Sequence, residues 1–177
     1  MKAFVRELIL TLGLALVIFL LLQTTIQSSI VEGSSMQPSL EDGQRLIVVK
    51  AVYHFRDPQR GDIIIIHPPV ASPEKQWVKR VIGLPGDIVE VKNHTVYVNN
   101  IALDEPYINE KPNYTMKPYT VGTDQYFVLG DNRNNSTDSH YGWTVAETSI
   151  VGEVWLRLWP LSEWGLVHGY PLELELQ

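Results

Sequence analysis

Cysteine is absent from the sequence. That excludes disulfides, zinc–thiolate centres, iron–sulfur clusters and cysteine nucleophiles, while saying little about compartment. Positive charge is also scarce. Lys and Arg number 14 against 20 Asp and Glu, a net charge of −6, and no basic patch of the kind that phosphate binding requires is visible, so nucleic acid is not an expected partner. The 5 histidines are scattered and form no HExxH pair. No serine stands in a GxSxG elbow. A Ser-His-Asp triad assembles from distant positions and stays open on this ground, but nothing points to one. There is no internal repeat, and no long amphipathic helix beyond the N-terminus. At 45% hydrophobic and 19% charged residues, the chain is globular in composition rather than disordered.

What the chain does have begins at its N-terminus. Leu8 to Leu22 is apolar apart from Thr11 and Gly13, and no charge appears until Glu32, a stretch long enough to span a hydrocarbon layer of about 30 Å. Lys2 and Arg6 precede it, and the next basic residue is Arg45. The positive-inside rule then leaves residues 1–7 in the cytoplasm, 8–27 as a transmembrane anchor and 28–177 outside the membrane. The rival reading is a cleavable secretory signal, since the most apolar part is short and Ser28 and Ser29 follow it.

Beyond Gln23 to Glu32, a polar exit from the membrane, Gly33 to Pro38 has turn chemistry. Short Val- and Ile-rich runs then read as strands: Leu46 to Val52, Asp62 to Ile66, Trp77 to Ile82, Ile88 to Val91, Val96 to Val98, Tyr126 to Leu129 and Ile150 to Leu158. Asn93-His94 suggests a hairpin and Pro85-Gly86-Asp87 a turn. Residues 103–123 mix Pro106, Pro112 and Pro118 with tyrosines and charges, without clear periodicity, and read as a surface excursion. The expected class is mainly β.

Three places carry chemistry. Alternation along a strand puts Trp77, Lys79 and Val81 on one face, and apolar flanks would desolvate the Lys79 amine, which is how a lysine becomes a general base near neutral pH. Arg80 cannot serve, because guanidinium stays charged; the ordinary alternative for Lys79 is a side chain snorkelling to water. Ser35 lies in the Gly- and Pro-shaped turn, where its hydroxyl and backbone N–H groups are exposed, or is merely a turn former. The segment Gly130-Asp131-Asn132-Arg133-Asn134-Asn135-Ser136-Thr137-Asp138-Ser139 is dense in carboxylates, amides and hydroxyls directly after an apolar strand. It is either a hydrogen-bonded network set against a site or a solvated loop.

Taken together, Ser35-Met36-Gln37-Pro38-Ser39-Leu40, Arg60-Gly61-Asp62-Ile63-Ile64, Lys79 to Asp87, and Gly130 to Ser139, in that order behind one apolar N-terminal segment, closely resemble the type I signal peptidases. The resemblance runs from the anchor to about Pro160 and favours an anchor over a cleaved signal. It implies a membrane-bound serine endopeptidase acting on signal-peptide-bearing preproteins, with Ser35 as nucleophile, Lys79 as general base, and neither metal nor cofactor. It further implies that Ser136 orients the lysine amine, that Asp131 pairs with Arg80, and that Asp138 is a structural acid. The strand from Asp62 would help line the substrate cleft, with Ile63 and Ile65 as its apolar wall. The implied fold is a β core with a small inserted β extension, residues 88–123, and one N-terminal transmembrane helix. Two positions depart from the pattern. His140 stands where many members have an arginine paired with the Asp138 position, and Gly33 stands where some have a serine that helps hold the oxyanion. A self-cleaving repressor-type protease shares the Ser–Lys chemistry, but carries a DNA-binding module instead of an anchor. An inactive tethered binding domain has no need of a desolvated lysine near serines.

Overall fold

The computed structural model describes residues 2–167 and 169–170. Met1 of the expected cytoplasmic segment, and His168 and residues 171–177 of the expected catalytic domain, lie outside them. The elements in chain order are helix α1 (Lys2–Thr25), then β1 (Ile26–Ile30), β2 (Arg45–Val49), β3 (Ile63–Ile66), β4 (Trp77–Gly83), β5 (Ile88–Lys92), β6 (Thr95–Val98), β7 (Ile101–Ala102), β8 (Met116–Thr120), β9 (Gln125–Leu129), β10 (Val145–Ala146), β11 (Ile150–Trp159) and β12 (Gly165–Leu166). The class is mainly β, as the strand-like runs imply.

Within α1, the 22 residues Phe4–Thr25 are long and apolar enough to cross a membrane, and their most apolar window is 0% buried. At 1.5 Å per residue they extend about 33 Å. The helix stops at Thr25, short of the expected Gln27, because Ile26 begins a strand. Ile26 to Ile30 pairs antiparallel with β2 in an unbroken register from Ile26↔Val49 to Ile30↔Arg45. Its polar sequence, Ile-Gln-Ser-Ser-Ile, hides this from a reading by composition. No residue intervenes between α1 and β1.

The larger sheet has 8 strands in the order β1-β2-β11-β3-β4-β9-β10, with β12 paired to β11. β3 is its centre and is apolar on both faces. Ile63 and Ile65 pack with Met36, Leu40 and Leu46 on one side, while Ile64 and Ile66 pack with Val81, Tyr126 and Val128 on the other. An all-Ile strand buried on both faces is what a continuous apolar run predicts.

The second sheet, of 4 strands in the order β7-β6-β5-β8, is the inserted extension. Asn93 and His94 both take positive φ (51° and 60°) between β5 and β6, the geometry a two-residue hairpin turn demands. The surface excursion expected over 103–123 is only partly one. Met116–Thr120 is a strand paired with β5, and Pro118 is tolerated there because β8 is an edge. A third apolar cluster joins the sheets, with Val89, Val91, Val96 and Val98 packed against Ile82, Phe127 and Leu129 of the larger one.

Gly152 of β11 marks a close strand approach. A Cβ there would lie 2.6 Å from the Val49 carbonyl oxygen and 2.9 Å from Lys50 Cα, and backbone cannot yield cheaply. Gly152→Ala should therefore cost about 1–3 kcal/mol, read as a lowered midpoint in thermal unfolding of the full chain in detergent. An unchanged midpoint would mean that β2 and β11 part easily.

Candidate active site

The Ser35 turn is anchored from below. Met36 and Leu40 are wholly buried beside Ile63, and the Leu40 N–H donates to the Met36 carbonyl at 2.9 Å. A large apolar side chain directly after the serine thus roots the turn in the core and leaves Ser35 on top. Gly33, at φ 84°, supplies the left-handed bend, and its N–H donates to Asp42 Oδ1 at 2.6 Å.

The dense loop after β9 grips this turn. The Asn132 N–H donates to the Ser35 carbonyl at 3.0 Å. Asn132 Nδ2 donates to the Ser34 carbonyl at 3.1 Å and Asn135 Nδ2 to Ser34 Oγ at 2.9 Å. Ser34 is thereby tied down, while Ser35 Oγ is the hydroxyl that meets the lysine. Sequence reasoning does not single out Asn132 and Asn135; the amide density of the loop is the signal that points to them.

Lys79 is 3% exposed. Its Nζ donates to Ser35 Oγ at 2.7 Å and lies 5.7 Å from the Trp77 ring centre, so Trp77 and Lys79 do share a face. Burial lowers the amine to about 8 from its ordinary value; the charges of Asp138 and Asp131 pull the other way and lose.

Ser136 is buried beside these groups, yet its Oγ makes no hydrogen bond. The bond to Lys79 that the resemblance implies is not formed in this state. Gly130 explains the crowding, since a Cβ on it would collide with both the Ser35 carbonyl oxygen and Ser136 Oγ. Asp131 does pair with Arg80, through two parallel bonds of 2.8 and 2.7 Å, with side chains only 2% and 0% exposed. Asp138 accepts from the Gly130 N–H at 2.9 Å and lies 2.7 Å from His140 Nδ1, so His140 occupies the partner's place. Ile65 lines the cleft. Ile63, expected beside it, is not part of that lining and packs in the same buried apolar cluster as Ile65.

The extension reaches into this network through residues that sequence reasoning missed. The Tyr107 ring lies 4.0 Å from the Arg80 guanidinium and 5.7 Å from that of Arg133. Arg133, itself buried, pairs with Glu105 at 2.7 Å and donates to the Gly130 carbonyl at 3.0 Å. A cleft of about 1190 Å³ opens over Ser35 and Lys79, bounded by β1, by the start of β4 and by the loop after β9. Gln27 Nε2 donates to Gln76 Oε1 across one part of its wall at 2.9 Å. The Ser35 N–H has no acceptor among the described residues and is available to an incoming oxygen.

Removing one member of the buried ion pair leaves the other without its counter-charge. Asp131→Ala should cost about 3–5 kcal/mol and lower catalytic-domain stability in denaturant titration, whereas a loss below about 1 kcal/mol would mean that Arg80 finds another partner.

The family model described as signal peptidase, peptidase S26, matches residues 4–159. A probable signal peptidase I-2 of Synechocystis sp. is 43% identical over 167 residues, covering 89% of this chain and 77% of its own. Signal peptidase IB of Staphylococcus aureus is 37% identical over 182 residues, covering 92% and 94%. A crystal structure of a signal peptidase I from Enterococcus faecalis is 35% identical with a TM-score of 0.48, covering 56% of this chain and 97% of that one.

Proposed function

This chain belongs to the peptidase S26 family of signal peptidases, and from that premise we propose that it removes N-terminal signal peptides from exported preproteins by acyl-enzyme chemistry, with Ser35 as nucleophile and Lys79 as general base. The observation that carries the reading is the buried Lys79 amine at hydrogen-bond distance from Ser35 Oγ. A neutral amine there accepts the hydroxyl proton as Oγ attacks the scissile carbonyl carbon. The resulting oxyanion is met by the Ser35 N–H. The intermediate collapses, the C–N bond breaks, and Lys79 returns the proton to the leaving amine. Water then attacks the ester with Lys79 again as base, freeing the leader and restoring Ser35. Ser136 is the residue that orients the amine once the cleft is filled. Arg80, Asp131 and Asp138 shape the site without touching the reacting atoms.

Substrate would bind as an extended strand along β1, whose partner in the sheet is β2 on one side only. The residue before the cut and the one two places earlier then point into the enzyme, toward the wall that contains Ile65. Main-chain pairing this close leaves shallow pockets, which suits the small-x-small pattern of leader cleavage sites.

The membrane setting follows from α1. Lys2 and Arg6 flank it on one side, so residues 1–7 are assigned to the cytoplasm and the β domain to the far side of the membrane. Exposed Trp155, Trp159, Leu161, Trp164 and Leu166 on and around β11 and β12 are the kind of surface that rests in a bilayer interface.

Ser35→Ala, Lys79→Ala and Lys79→Arg should each lower kcat on a leader-bearing preprotein by at least about a thousandfold, and the double variant no further, because the pair acts as a unit. Near-normal turnover by Ser35→Ala would remove it as nucleophile. The pH dependence has a definite sign. Below its folded-state value, Lys79 is an ammonium and accepts no proton, so kcat/KM should rise with pH through a midpoint near 8. A flat profile between about pH 6 and 10, with chemistry rate-limiting, would mean that Lys79 is not the base.

A further inference from the structure

We propose that His140 is a positioning residue for the acid–base step, acting through Asp138: the charge at position 140 decides how much of the Asp138 charge reaches the Lys79 amine. This rests on the reading of Lys79 as base.

Lys79 feels two carboxylates, Asp138 the more strongly. Their compensation differs in kind. Asp131 is held by a guanidinium, which is always charged. Asp138 is wholly buried, and a buried carboxylate requires a partner. Its Oδ2 accepts the Gly130 N–H, which brings no charge. Its Oδ1 accepts the His140 N–H at 3.2 Å and faces His140 Nδ1 at 2.7 Å. Among the described residues, His140 is the one cationic side chain within ion-pair distance of Asp138. So one counter-charge at the site is a guanidinium, which is permanent, and the other an imidazole, which exists in neutral and charged forms.

The surroundings hold His140 in register for this. Its ring stacks on Tyr114 of the extension at 4.3 Å, 21° from parallel, and meets Tyr141 of its own turn at 4.0 Å, tilted by 37°. Asp138 faces it from the same loop, Arg133 and Glu105 act with Asp138 on the neighbouring Tyr114, and Lys79 and Arg133 line the same cleft. His140 lines the cleft, so solvent protons reach it. Gly130, the other partner of Asp138, is the residue packed against Ser35 and Ser136, so the carboxylate is fixed relative to the reacting pair.

One elementary charge several ångströms away, at an effective dielectric near 20, moves a titration by about one pH unit. The test is the pH profile of kcat/KM on a leader-bearing preprotein, using the full chain in detergent with wild type, His140→Arg and His140→Gln. Gln keeps an N–H for Asp138 and never carries charge; Arg always does. The rising limb of the Arg variant should lie about one unit below that of the Gln variant, with near-ultraviolet circular dichroism of the wild type retained in both. His140→Lys replaces Arg if that variant does not fold. Coincident midpoints overturn the proposal, including the case in which the variants are slower but unmoved, which is what a purely structural role gives. A wild type with no rising limb would instead overturn the Lys79 assignment and is thereby told apart.

Discussion

The burial of one amine is the constraint on which the rest of this structure depends. A lysine at 3% exposure surrenders most of its hydration, and its amine gives up its proton more readily than a free one. That trade works only if nearby carboxylates do not restore the charge. Asp131 is bound on both oxygens by Arg80 and Asp138 is engaged by a backbone N–H and His140. Each acid shapes the loop that holds Ser35, and each has its field answered by a partner. Burial therefore remains the larger influence on Lys79.

The same economy explains the inserted extension. Its 4 strands close an apolar cluster with β4 and β9, which are the strand of Lys79 and the strand leading into the Gly130 loop. Beyond that cluster it contributes Tyr107 between two buried arginines, Glu105 against Arg133, and Tyr114 against His140. An insertion that looks peripheral in the chain is thus the rear wall of the loop carrying Asp131, Ser136 and Asp138.

Much of this was legible in the sequence. Strand alternation points to Lys79 and turn chemistry to Ser35, the family blocks join them, and Val- and Ile-rich runs mark the central strands. What stayed hidden has physical reasons. β1 is polar because one of its edges faces the cleft, so its pairing with β2 leaves no apolar alternation to read. β8 contains a proline, which argues against a strand except at an edge. Ile63 and Ile65 share a face, as alternation requires, but only Ile65 lines the cleft, which no local pattern reports. The grip of Asn132 and Asn135 on Ser34 and Ser35 spans about a hundred residues of chain and is visible locally only as an excess of amides. The state of Ser136 Oγ belongs to the packing around Gly130, not to its own neighbours in sequence.

The direct passage from α1 into β1 has a mechanical meaning. If α1 is seated in the bilayer, the strand that borders the cleft is the helix's own continuation, and its five pairings with β2 leave no slack hinge between the helix and that strand. Ten residues separate Thr25 from Ser35 in the chain, at most about 35 Å when extended, so the height of the hydroxyl above the lipid is set like the gauge of a tool. A leader whose apolar core is seated in the same bilayer then presents its scissile bond at the right level only if the segment between core and cut has a matching length. On the proposed function, a fold of this kind would select among otherwise acceptable small-x-small sites by altitude.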